Sequence, residues 1–234
     1  MKSTFRIEDD ELAFKAFSHN INAIAYMSDH CKTLFNKNVF LTQVINQHNR
    51  TDNLRKCVLS SVNFDKLPQN FKDDPEILAA LLDTNRDFIE NIPIEFFNNE
   101  RIRSIINKCD NDQDGKNVLD VVCRILNVQK LKKILDITQD KIVPLTKRGC
   151  DNVFHALCEE YEYEYLNKNE TNKLKILEMF ELLMSKNLNM LKQSNTKKEL
   201  PIDKIMDVNA KNSLTKRLQI IERKISGTNG WFFW

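Results

Sequence analysis

The chain has 234 residues, 29% of them charged and 41% hydrophobic, and a formal net charge of only +2. Such a small charge gives no whole-molecule field to attract nucleic acid or an acidic membrane, so nonspecific DNA binding is not expected. With only 4 glycines and 5 prolines, few positions suit the positive φ angles of hairpins and phosphate loops, and an all-α fold is predicted.

The spacing of the cysteines and the length of the apolar runs indicate where in the cell the protein is expected. The six cysteines, at positions 31, 57, 109, 123, 150 and 158, contain no CxxC pair, and the first residues lack the apolar core of a signal peptide. No apolar run approaches the roughly 18 residues of a membrane-spanning helix. We therefore expect reduced thiols, a cytosolic protein and no membrane span.

In the first half of the chain, apolar spacing of three and four predicts successive helices over 9–18, 21–35, 40–45 and 54–62. The next helix start is marked by Asp74 as a cap, Pro75 at the first helical position and Glu76 at the positive end of the helix dipole. Pro93 interrupts the apolar segment 88–97, which predicts a broken helix or short turns before another helix over 102–106.

The second half reads as helix pairs, each opened by a polar turn. The predicted pairs are 118–125 with 128–135, 153–157 with 174–184, and 201–206 with 214–225. The segment EEYEYEYLNKNETN is predicted to be an insertion that separates the two helices of the middle pair.

The turns of these pairs share a pattern, in DQDGKNVLDVVC (112–123), KRGCDNVFHALC (147–158) and, more weakly, TKKELPIDKI (196–205). Gly115 and Gly149 fall at equivalent turn positions, followed by the tetrapeptides NVLD (117–120) and NVFH (152–155). This pattern resembles the ankyrin-repeat signature G-x-T-P-L-H-x-A. The second unit carries one inserted residue, and the third, with LPID at 200–203, lacks the glycine.

The resemblance covers about 110–225 and, more loosely, 36–63. It implies a solenoid of stacked helix-turn-helix repeats at 110–225, after a helical amino-terminal region at 1–109 and before an aromatic tail at 226–234. A generic helical bundle is the alternative fold. The segment 73–106 is similar to helical repeats found beside divergent ankyrin units in effectors that intracellular bacteria secrete. The implied function is binding of a host-cell protein, with no enzymatic activity and no cofactor, after secretion into the host cytoplasm.

In the ankyrin family, binding uses the turn tips and the first helix of each pair. Carried over, this implies a partner-binding set of Asp114, Lys116, Lys147, Arg148, Asp151 and Asn152. Tyr161, Tyr163 and Tyr165 alternate with glutamates, and tyrosine is enriched at binding hot spots, so we expect them to project and contact the same partner. A second possible face carries Lys130, Lys132 and Lys133, predicted to point outward.

Two groups of residues resemble metal sites, but a structural role is predicted for both. Asp110, Asp112 and Asp114, with Gly115, reproduce the first half of a calcium loop, but Val121 stands where the bidentate glutamate belongs. A solvated turn is therefore predicted. A zinc set of Cys150, His155 and Cys158 lacks a fourth ligand, and the ankyrin resemblance instead places His155 at the family's turn-bracing position.

The alternative function is a small cysteine-dependent hydrolase or transferase on a helical scaffold. Histidines at 19, 30, 48 and 155 with six cysteines permit some Cys–His dyad, but spacing selects none. The sequence therefore predicts no catalytic residue. The aromatic end GTNGWFFW is predicted to fold back as a cap on the last repeat.

Overall fold

The computed structural model describes residues 7–19, 21–28, 64–108, 117–138 and 151–227. Within these ranges the chain is helical and contains no named strand, which confirms the all-α prediction for the described part. Two compact units divide the chain, at 1–105 and 106–234. The helices predicted at 40–45 and 54–62, the calcium-like turn at 110–115 and the final aromatic residues lie outside the described residues.

The first unit begins with α1 (Asp10–His19), followed by a 3₁₀ helix at Ile21–Tyr26. The prediction of one helix over 21–35 is wrong for its described part, because residues 21–26 form a 3₁₀ helix that ends at Tyr26 and Met27 forms an isolated bridge. Ile7 causes this ending, since its backbone N–H donates to the Tyr26 carbonyl at 2.7 Å and it forms a parallel bridge with Met27.

Two short helices follow in this unit, α2 (Gln69–Lys72) and α3 (Pro75–Thr84). Asp74 caps α3 as predicted, because its carboxylate accepts from Glu76 N at 2.9 Å. The predicted break around Pro93 is also confirmed, since 3₁₀ helices at Arg86–Glu90 and Ile94–Asn98 flank it. Then α4 runs over Glu100–Lys108. The core of α1, α2 and α3 contains Phe17, Ile24, Phe71, Ile77 and Leu81.

The second unit contains α5 (Val118–Arg124), α6 (Val128–Ile137), α7 (Val153–Leu166), α8 (Glu170–Asn187) and α9 (Val208–Ser226). Two 3₁₀ turns join the last helices, at Leu188–Lys192 and Pro201–Lys204. The helix predicted over 201–206 is therefore only a single turn. The tyrosine segment is not a projecting insertion either, because it extends α7 to Leu166.

Contacts between elements arrange this unit in two rows. Helix α7 packs between α5 and the Pro201–Lys204 turn, while α8 packs between α6 and α9. Apolar side chains fill the space between the rows, including the stacked rings of Phe154 and Phe180, whose centroids lie 5.6 Å apart. The exposed side of α7 and its two neighbours thus forms one surface. Among the described helices, none combines the length and apolar character that a membrane crossing requires.

Candidate functional site

The three tetrapeptides that align in the sequence all form helix starts. Asn117 accepts from the Asp120 N–H at 2.8 Å to begin α5, and Asn152 accepts from the Phe154 N–H at 3.0 Å to begin α7. At the third start the roles are reversed, since the Asp203 carboxylate accepts from the Leu200 N–H at 3.0 Å. Each bond satisfies a backbone donor that a helix start leaves without an intrahelical partner.

His155 joins the start of α7 to the next turn of the chain. The imidazole is fully buried, and its Nδ1 accepts from the Asn152 backbone N–H at 3.1 Å. That N–H can only donate, so Nδ1 is the unprotonated nitrogen and Nε2–H donates to the Glu199 carbonyl at 3.1 Å. The same side chain therefore closes a capping box and ties it to a turn 44 residues later.

Asn195 holds that turn from the other side. Its amide donates to the Asp151 carboxylate at 2.7 Å and to the Glu199 carboxylate at 2.8 Å. Its side-chain oxygen accepts from the Glu199 N–H at 3.0 Å, and Lys198 adopts a positive φ of 64° within the turn. Residues 151–152 before α7 and the turn at 195–199 are thus fixed to each other by hydrogen bonds from the buried side chains of His155 and Asn195.

A line of ion pairs crosses the exposed side of these elements. Arg124 on α5 contacts Glu159 on α7 at 3.2 Å, and Glu159 contacts Lys204 of the next turn at 3.6 Å. Lys204 also contacts Asp151 at 2.9 Å, while Arg124 contacts Asp120 at 3.4 Å. The charges consequently form one network over all three elements.

The pKa values of the network reflect this pairing. Burial lowers the pKa of Arg124, but Asp120 and Glu159 outweigh burial and raise it above its ordinary value. Burial likewise opposes the charge of Lys204, and the carboxylate of Asp151 outweighs it and raises the pKa. Both cations therefore stay charged at neutral pH and hold the neighbouring carboxylates in place.

Beyond Glu159, α7 exposes side chains at the spacing of one helical face. We call this the central face, formed by Glu159, Glu162, Tyr163 and Leu166 with the adjoining Met206. Glu162 fixes Met206 next to the helix, since its carboxylate accepts from the backbone N–H groups of Met206 at 2.8 Å and Asp207 at 2.5 Å. Tyr163 exposes 63% of its surface and Met206 83%, so large apolar groups meet solvent beside the ion pairs.

The residues predicted to bind a partner separate into three groups. Asp114, Lys116, Lys147 and Arg148 lie outside the described residues. Asp151 is partly exposed and joined to Lys204. Asn152 is buried, with its amide donating to the Met190 carbonyl at 2.8 Å, so it supports the turn and does not present its side chain to a partner.

The three tyrosines do not share one surface. Successive helical residues rotate by about 100°, so side chains two apart point to different sides. Tyr161 is 3% exposed and its hydroxyl lies 3.0 Å from the Ser213 hydroxyl, whereas Tyr163 faces solvent. Tyr165 packs under the Lys173 ammonium, 5.0 Å from its ring centre. The lysine face is similarly divided, because Lys130 is buried.

Four residues of this surface were not predicted as site residues from the sequence: Arg124, Glu159, Lys204 and Met206. Two of them had a detectable signal, since Arg124 and Glu159 each follow the last residue of an aligned tetrapeptide by four positions. One helical turn separates each pair, which places both charges at equivalent positions on neighbouring helices. Opposite charges at equivalent positions are a sign of contact between neighbouring helices.

The described cysteines do not fit nucleophilic catalysis. Cys123 and Cys158 are buried, and burial raises the pKa of both thiols above the ordinary value. A thiol with a raised pKa carries little thiolate, which is the reactive form. Both ring nitrogens of His155 are already hydrogen-bonded. The cysteines at 31, 57, 109 and 150 lie outside the described residues, and within the described ranges no three histidine, cysteine or acidic side chains are grouped to hold a metal ion.

Comparison with protein-family models finds no match to this chain, and comparisons with curated proteins and with solved structures find none either.

Proposed function

We propose that residues 117–227 form a protein-binding module of ankyrin-like helix pairs and that the central face contacts the partner. One observation carries the proposal: three helix starts at aligned sequence positions lie side by side, and ion pairs run across them from Arg124 through Glu159 to Lys204. A surface built from consecutive, equivalent elements is the typical binding surface of repeat proteins.

The chemistry of the central face favours a protein partner. Exposed aromatic and methionine side chains, here Tyr163 and Met206, are enriched in protein interfaces. Charged groups surround them, and pairing already fixes Glu159 and Arg124, which reduces the ordering cost of binding. Because Glu159 and Glu162 place carboxylates on this face, a nucleic acid backbone is disfavoured.

The wider role expected from the sequence is a bacterial effector that binds a host-cell protein. The central face suits such a partner because it offers both apolar anchors and polar groups. The effector role itself stays a prediction that secretion assays would test.

The proposal is tested by affinity capture from a eukaryotic lysate, followed by affinity measurement with the captured protein. The double variant Tyr163→Ala with Leu166→Ala removes two exposed side chains from the central face without touching a buried group. We expect at least a tenfold loss of affinity, equal to about 1.4 kcal/mol, with helicity unchanged.

The matched control is Leu174→Ala, which truncates an equally exposed side chain on α8 in the other row. Its affinity should equal that of the wild type. Equal losses in the control and the double variant, or unchanged affinity in the double variant, would reject the central face as the interface.

A further inference from the structure

A cavity of about 480 Å³ lies among α7, α9 and the two 3₁₀ turns that join α8 to α9. Its volume falls within the range of about 300–1,000 Å³ that is common for sites of drug-sized molecules, so it is large enough for an aromatic side chain. Cys158, Leu191 and Leu218 are buried lining residues and give the cavity an apolar wall. None of the lining residues belongs to the central face, so the cavity is a separate surface of this unit.

The polar side chains of the lining are already paired within this unit. The Asp203 carboxylate accepts from Lys211 Nζ at 3.0 Å. The Thr215 hydroxyl donates to the Lys211 carbonyl at 2.8 Å. Lys192 forms an ion pair with Glu222, with 4.0 Å between nitrogen and oxygen. Because each charge of the lining has a partner of opposite sign, a charged occupant would lose its hydration without gaining a counter-charge. The cavity therefore favours a neutral, apolar group.

The chain carries such groups directly after α9. Residues 228–234, which lie outside the described ranges, read TNGWFFW and contain four aromatic side chains and no charged one. Large contiguous apolar surfaces are rarely left exposed to water, so these side chains need a covering surface. Gly227 ends α9 in the left-handed conformation, with φ 61°. A left-handed residue at this position turns the chain out of the helix, and an apolar residue after it frequently contacts the last turns of the helix.

The cavity lies within reach of this segment. Leu218, Glu222 and Ser226 follow one another at steps of four, so they share one face of α9. At about 1.5 Å per residue, Leu218 lies about 12 Å along the helix from Ser226. An extended chain covers up to about 3.3 Å per residue, so Trp231, four positions after Gly227, reaches about 13 Å. The segment can therefore return along α9 as far as the apolar wall.

We propose that the aromatic segment 231–234 docks into this cavity of the same chain, with the Trp231 ring against Leu191 and Leu218. The segment returns along the face of α9 that carries Glu222 and covers the cavity. The docking fastens α9 to the two turns that precede it. It does not depend on the partner-binding role of the central face.

Tryptophan fluorescence reports on this segment alone, because the 2 tryptophans of the chain, Trp231 and Trp234, both lie in it. In a full-length Trp234→Phe protein, the tryptophan emission comes from Trp231. We expect acrylamide to quench this emission roughly threefold less in the folded protein than in urea, since a ring in a packed interior is shielded from collisions. Quenching as strong as in urea would overturn the proposal.

A pair of variants in the Trp234→Phe protein tests whether the cavity is what shields the ring. Thr215→Phe fills the cavity and should raise acrylamide quenching of Trp231 to its level in urea. Ile220→Phe adds the same ring at an exposed position of α9 and should leave the quenching unchanged. Circular dichroism checks that both variants keep their helicity. Unchanged quenching in a folded Thr215→Phe variant would overturn the proposal.

A nuclear Overhauser experiment tests the contact without altering the cavity. In the Trp234→Phe protein with labelled leucine methyl groups, cross-peaks should join the Trp231 indole protons to the methyl groups of Leu218. Absence of these cross-peaks, as expected if another molecule occupies the cavity, would overturn the proposal. A mixture of labelled and unlabelled chains separates the remaining occupant. Cross-peaks between two copies would mean that the cavity takes the segment of a second chain, and this result would overturn docking within one chain.

Discussion

Replacing His155 by leucine should destabilise the second unit, although the new side chain is apolar and the position is buried. The variant keeps an apolar side chain in a fully buried position but removes both hydrogen bonds of the ring. The Asn152 N–H then has no acceptor, whereas the Glu199 carbonyl keeps the Asn195 N–H as a donor at 2.9 Å. The two losses are therefore unequal.

The magnitude follows from this difference. A buried donor without a partner costs about 1–3 kcal/mol, and loss of one of two bonds to a carbonyl costs about 1 kcal/mol, so His155→Leu should lower the free energy of unfolding by about 2–4 kcal/mol. Glutamine at this helix position can reach back to the cap N–H in a capping box. His155→Gln should consequently restore the larger contribution and cost only about 1 kcal/mol.

The assay is urea unfolding followed by circular dichroism, with hydrogen exchange to assign the change to a segment. Since the chain contains two compact units, its unfolding transition need not be two-state. Hydrogen exchange at residues 195–204 reports directly on the turn that His155 holds. A leucine variant within about 0.5 kcal/mol of the wild type would refute the reasoning. So would a glutamine variant as unstable as the leucine variant.

Two further predictions concern ionisable groups. Burial raises the pKa of Asp151, but hydrogen bonds from Asn195 and Lys204 outweigh it and bring the pKa below the ordinary value of 3.8. The stabilisation by the Asp151 carboxylate is therefore complete above that value and is lost as the pH falls through the folded pKa. Asp151→Asn should lower the free energy of unfolding by about 0.5–1 kcal/mol at pH 7 and should have no effect in strong acid. Urea unfolding at each pH measures the difference. Native labelling with a thiol reagent and peptide mass analysis should leave Cys123 and Cys158 unmodified until urea is added, and rapid native labelling would contradict their burial.

Local signals in the sequence predicted much of the secondary structure. Asp74 and Pro75 mark the start of α3 because capping and the fixed φ of proline act within a few residues. The prediction of a helix over 21–35 was wrong because a contact from outside the segment decides where the helix ends. Its end depends on Ile7, whose N–H binds the Tyr26 carbonyl from outside the segment, and apolar spacing cannot show that contact.

The tyrosine segment was misread because its alternating pattern hides a helical one. Tyr161 and Glu164 are both buried, three positions apart, and the Glu164 carboxylate accepts from the Asn172 amide at 2.8 Å. A glutamate is expected to be exposed when only the sequence is known. The burial of Glu164 was therefore not predicted, and the predicted helix ended before the tyrosine segment. Most of the candidate site was not predicted because its contacts join distant parts of the sequence. Glu159 and Lys204, for example, are 45 positions apart and come into contact only through the packing of α7.

The residue that stabilises α7 and the residue proposed to bind a partner lie in different parts of the helix, so their substitutions should have different effects. His155 lies in the first turn and fixes the helix to a neighbouring turn through the Glu199 carbonyl. Tyr163 lies two turns further along the helix and is 63% exposed, and within the described ranges its side chain makes no hydrogen bond. Loss of the first should loosen the row and lower the apparent affinity for a partner only by the fraction of molecules that it unfolds. Loss of the second removes a contact from a helix that remains folded. Added partner should therefore raise the stability of a His155 variant through mass action, whereas a Tyr163 variant should keep the wild-type stability without partner and bind the partner with a larger Kd.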